Sequence, residues 1–81
     1  MMIRTESEYE GVAEDMMLDE IQALLDEEII ETYEIGRDDD GRHRWEVVTD
    51  EHVVAVTSDT IMTYEGEIGG YRCTAEVTPR S

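Results

Sequence analysis

The sequence predicts an α+β fold: one N-terminal amphipathic helix packed on an antiparallel β-meander of about five strands. Two patterns carry that expectation. Up to Leu25 the apolar residues recur at spacings of three and four, the period of a helix with one buried stripe. From Ile29 onward the period changes to two, in runs rich in Val, Ile, Thr and Tyr. The charge divides at nearly the same place. Residues 1–40 hold 15 acids and two arginines, and residues 41–81 hold seven acids and four arginines.

The helix is expected over about 7–28. Thr5-Glu6-Ser7-Glu8 and Ser7-Glu8-Tyr9-Glu10 both match the capping box, in which a hydroxyl accepts from an orphan amide and a glutamate three residues on reaches back. Tyr9, Ala13, Met17, Ile21, Leu24 and Leu25 form the stripe, and the remaining positions are largely acidic. Gly11 weakens the first turn by about 1 kcal/mol relative to Ala, so regular helix is expected from Val12. Three acids near Glu28 oppose the dipole, which predicts a frayed end.

The sheet is expected over about 29–78, from "IIETYEI", "RWEVV", "HVVAVT", "TIMTYE" and "YRCTAEVT". A three-residue loop, Asp39-Asp40-Gly41, closes the first hairpin with Asp38 facing Arg42 and Gly41 left-handed. It places Ile35 opposite Trp45 and Tyr33 opposite Val47. Two-residue turns at Asp50-Glu51 and Ser58-Asp59 then pair Val47 with Val54 and Val56 with Ile61. The other face carries Val48, Val53, Ala55, Met62 and Tyr64. One helix cannot cover two apolar faces, so these five residues are the predicted protein interface. A self-complementary homodimer is the simplest way to bury them; a curled sheet or small barrel is the rival.

The chain is short enough for a single domain, 1–81, and buries only about 60 to 65% of its unfolded surface. One cysteine gives no intramolecular disulfide and no C-x-x-C spacing, which fits a reducing cytoplasm. No apolar run is long enough for a membrane span or a signal peptide.

There are 22 acids, six basic residues and a net charge of -16, and every basic residue is Arg. Such a body repels itself at low salt and is screened at molar salt, where the Debye length is about 3 Å. In this acidic, lysine-free, Thr- and Val-rich composition the chain resembles the small cytoplasmic proteins of halophilic archaea. The resemblance is compositional and transfers no site. An acidic protein that mimics DNA or binds basic partners is the rival reading of the same charge.

"IGRDDDGRHRW", Ile35 to Trp45, raises calcium and nucleic-acid readings besides the turn. With Gly41 placed sixth in an EF-hand loop, Gly36 falls first and Val47 twelfth, so both anchoring ligands are missing. Arg37, Arg42 and Arg44 beside Trp45 offer phosphate contacts and a stacking ring, the alternative nucleic-acid interface. The hairpin resembles the wing of a winged-helix domain, but too few residues precede it for that fold's helices.

His43 and His52 are expected as solvated sheet residues, although with Asp50 and Glu51 they raise a metal reading. Cys73 falls in the apolar phase with Tyr71, Ala75 and Val77 and is expected in the core. "EGEIGGYR" is read as a flexible hairpin loop. No positioned nucleophile, cofactor motif or apolar pocket for a carboxylate is legible, so the expectation is a noncatalytic interaction or regulatory protein without a cofactor.

Overall fold

The computed structural model describes residues 1–80. It has six elements: β1 (Met2–Ser7), α1 (Glu10–Leu25), β2 (Ile29–Arg37), β3 (His43–Thr49), β4 (His52–Met62) and β5 (Ile68–Pro79). The strands form one antiparallel sheet in the order β1-β5-β4-β3-β2, with α1 packed on one face. The expected α+β architecture is present, but the helix follows a strand that the sequence reading did not separate from it.

That strand is "MIRTES". Ile3 and Thr5 point into the core while Met2, Arg4 and Glu6 face outward, the period of two expected of a half-buried strand. It pairs with β5 along its length, Ile3 opposite Ala75 and Thr5 opposite Cys73. The Thr5 hydroxyl does not cap the helix; it donates to the Ala13 carbonyl at 2.7 Å and ties β1 to α1. Tyr9 occupies the N-cap with no side-chain cap.

The helix buries Ala13, Met17 and Ile21, spaced four apart, and leaves Tyr9 and Leu24 of the predicted stripe exposed. The three buried residues meet Ile3, Trp45, Val47, Val54, Val56, Cys73 and Ala75 from four strands. Truncating Met17 to Ala there removes about 2–5 kcal/mol. The helix runs unbroken through Gly11 and stops at Leu25. Asp26 is left-handed (φ 54°) and its N–H bonds to the Gln22 carbonyl at 2.9 Å.

The β2–β3 loop has the predicted form: Asp38 N–H donates to the Arg42 carbonyl, and Gly41, at φ 80°, donates to the Asp38 carbonyl. The register beyond it differs. A bulge between Glu34 and Gly36, with Gly36 at φ 124°, leaves Ile35 unpaired. Glu34 then opposes Trp45, Thr32 opposes Val47, and Tyr33 opposes Glu46 on the other face. Tyr33 and Ile35, expected inside with Trp45, are exposed.

Val47 pairs with Val54, as the Asp50-Glu51 turn requires. The second expected turn, at Ser58-Asp59, is absent, because β4 continues through it to Met62. "HVVAVT" and "TIMTYE" are therefore one strand, and Val56 pairs with Ala75 rather than Ile61. The turn falls instead at Thr63–Glu67, with Gly66 at φ 79°. Gly69 and Gly70, expected in that loop, lie in β5. A Cβ on Gly70 would stand 3.2 Å from the Ser7 carbonyl, so a larger residue there would push β1 and β5 slightly apart.

Candidate functional site

The sheet presents two differently built surfaces. Under α1, a chain of polar side chains crosses the core. The buried Ser58 hydroxyl donates to Glu14 at 2.6 Å and accepts from the Trp45 indole N–H at 3.1 Å. Its oxygen also lies 3.3 Å from the Cys73 sulfur. Glu14 accepts from His43 Nδ1 at 2.7 Å, and His43 Nε2 contacts Glu34. The bulge at Ile35 is what turns Glu34 to this side.

Burial pushes the His43 pKa down, but the Glu34 and Glu14 carboxylates outweigh it and the net shift is upward. The two carboxylates, one at each ring nitrogen, thus favour the protonated ring. His43, Glu10 and Glu14 lie close enough to share a cation, although His43 Nδ1 is already bonded to Glu14 and its Nε2 to Glu34. Chemically, the carboxylate stands between hydroxyl and imidazole, the wrong order for a histidine to activate a serine. The arrangement fastens the helix to the sheet.

A second latch lies at the other end of α1. Glu27 Oε1 accepts from the Thr49 hydroxyl at 2.7 Å and the Glu51 N–H at 2.9 Å, while Oε2 meets His52 Nδ1 at 2.7 Å. The Thr49 bond is the main reason that the Glu27 pKa is lowered. An acid past the helix end is held by the β3–β4 turn rather than left to fray the helix. His43 and His52, expected as solvated, are thus each paired with a carboxylate, His43 at the start of β3 and His52 at the start of β4.

The opposite face of the sheet has no element packed on it among the described residues. Its pairing gives rows that run across the strands. Row one reads Asp38, Arg42, Asp59, Arg72, Glu6, with ion pairs Arg42–Asp59 and Arg72–Glu6 at 3.3 Å. Row two reads Gly36, Arg44, Thr57, Thr74, Arg4. Row three reads Tyr33, Glu46, Ala55, Glu76, Met2, and row four Glu31, Val48, Val53, Thr78. Arg44 Nε bonds to Asp38 at 3.1 Å. Backbone N–H donation from Arg42, the largest influence, holds Asp38 below the usual carboxylate range; burial pushes the other way, and the Arg44 side chain adds to the lowering.

The predicted interface residues are only partly brought together. Val48, Val53 and Ala55 are neighbours on the open face, where Val48 is buried, Val53 half-buried and Ala55 exposed. Met62 and Tyr64 lie at the far end of β4 and in the turn beyond it, a consequence of the missing Ser58-Asp59 turn. The alternative set also divides. Arg42 and Arg44 share the open face, whereas Arg37 opposes His43 on the helix side and bonds to Glu10 at 3.2 Å.

Sequence reasoning missed Ser58, Glu14 and Glu34. Ser58 had a signal, since it continues the apolar phase of Val54 and Val56 and so points a hydroxyl into the core. No protein-family model, curated protein or solved structure matches this chain.

Proposed function

We propose that this chain is a noncatalytic interaction module that docks through the open face of its sheet, onto a second copy or a protein partner. The observation that carries the reading is the asymmetry of the sheet: α1 seals one face, and the other presents Val53 and Ala55 beside ordered rows of Arg and Glu. Polar groups under the helix are bonded to one another and serve its attachment. The acidic, single-cysteine composition fits a salt-rich, reducing cytoplasm. No helix among the described residues is long and apolar enough to cross a membrane.

The nucleic-acid alternative has less support, because Arg37 is turned away from Arg42 and Arg44, and each of the three is paired with a carboxylate. Light scattering on a size-exclusion column in about 2 M KCl, with and without Val53→Asp, tests the main reading. Loss of an assembly with the fold intact supports docking through this face. An assembly of unchanged mass places the contact elsewhere.

A further inference from the structure

The charges of the open face are sorted by row. Row one alternates in sign; its ion pairs Arg42–Asp59 and Arg72–Glu6 leave Asp38, which bonds to Arg44 of row two. Row two contains two arginines, Arg44 and Arg4, and no acid. Row three contains two glutamates, Glu46 and Glu76, and no base. Arg4, Glu46 and Glu76 take part in no ion pair among the described residues. Between the charges lie short side chains, Thr57 and Thr74 in one row and Ala55 in the other. A cationic row therefore runs beside an anionic row on a face that no element of the chain covers.

We propose that two copies of this chain mate open face to open face about a two-fold axis running across the strands, midway between the Arg44 row and the Glu46 row. This rests on the interaction reading above and commits it to one partner. The rotation exchanges rows two and three while each strand stays over its own counterpart. Arg44 then faces the partner copy's glutamate at position 46, Thr74 faces its glutamate at position 76, and Thr57 faces its alanine at position 55. Arg4 falls beside the same glutamate that Thr74 meets.

The other face-to-face two-fold, along β4, would lay Glu46 against the partner copy's glutamate at position 76, like charge on like. Between these two axes charge favours the first, which also lays row one on the partner copy's row four. Strands then run aligned across the interface, the usual arrangement of packed sheets. Four strands at about 4.8 Å and four rows at about 6.8 Å give a contact roughly 19 by 27 Å. That sits at the small end of specific interfaces, which makes its charge pairing decisive.

The edge offers a poorer joint. β2 exposes Ile30, Tyr33 and Ile35, but its ladder is interrupted between Ile29 and Glu31 and again between Glu34 and Gly36.

The test is the solution mass of wild type, Arg44→Glu, Glu46→Arg and an equimolar mixture of the two variants in about 0.5 M KCl, with circular dichroism to verify the fold. Wild type is expected as a dimer. Each variant puts like charges together at both symmetric contacts and is expected to weaken dimerisation at least ten-fold, and the mixture is expected to restore a dimer containing one chain of each. A monomeric wild type overturns self-association and leaves docking on a foreign protein as the surviving reading. A dimeric wild type whose variants stay dimeric, or whose folded variants fail to recombine, overturns the two-fold placed here while self-association stands. Should Arg44→Glu lose the hairpin through Asp38, Glu46→Arg alone decides: a folded dimer overturns the proposal.

Discussion

His43 Nδ1 lies 2.7 Å from the Glu14 carboxylate, and its other ring nitrogen meets Glu34, so one imidazole joins the helix to edge strand β2 across β3. The pairing sets a direction for stability against pH. Because the folded-state pKa is raised above the ordinary 6.5, the contribution of His43 is complete below about pH 6.5 and is lost as pH rises through the folded value. Urea unfolding between pH 6 and about 8, below the range in which Cys73 titrates in the unfolded chain, should show stability falling across that window. In His43→Gln the fall should be absent, and an unchanged slope would remove His43 as its source.

The Trp45 indole N–H donates to the Ser58 hydroxyl, which is buried. Ser58→Ala leaves that N–H without an acceptor and the Glu14 carboxylate without one of its donors. The expected loss is about 1–3 kcal/mol. The urea midpoint, followed by Trp45 fluorescence, measures it directly, and a loss below about 0.5 kcal/mol would mean that water replaces the hydroxyl.

Gly36 stands at φ 124° with open space where a Cβ would go. Gly36→Ala therefore acts through backbone strain and not through a clash, and should lower stability by about 1–3 kcal/mol. Gly11→Ala, with equally open space in a helix, should raise it by about 0.5–1 kcal/mol. Equilibrium unfolding of the two variants side by side gives opposite signs if the bulge is as described.

The Cys73 thiol is fully buried, and burial pushes its pKa up although Ser58 pulls the other way. A thiol reagent at pH 8 should label the native protein only as fast as it opens, and should label it at once in 8 M urea. Rapid native labelling would place Cys73 at the surface.

The helix with its buried Ala13, Met17 and Ile21, the Asp39-Asp40-Gly41 loop and the in-phase run Tyr71 to Val77 were legible because local periodicity and turn chemistry determine them. "MIRTES" was not, since a capping-box pattern and a short alternating strand share the same residues, and only pairing with β5 decides between them. Ser58-Asp59 has turn residues, but both are used inside a strand: one bonds in the core and the other pairs with Arg42. The bulge at Ile35 could not be read either. A pattern of period two carries no mark for one extra residue, yet that residue exchanges the faces of Tyr33 and Glu34. The same exchange created the His43 clamp and assigned Glu46 and Arg44 their neighbours on the open face.

The two interruptions in β2 matter most where the charge matters least. At molar salt a net charge of -16 is screened within about 3 Å and no longer holds molecules apart. An uninterrupted edge carrying Ile30, Tyr33 and Ile35 would then be free to add strand upon strand without limit. The two register shifts that β2 makes against β3 bend that edge away from a flat template for cross-β growth, an obstacle made of backbone geometry, which salt does not screen.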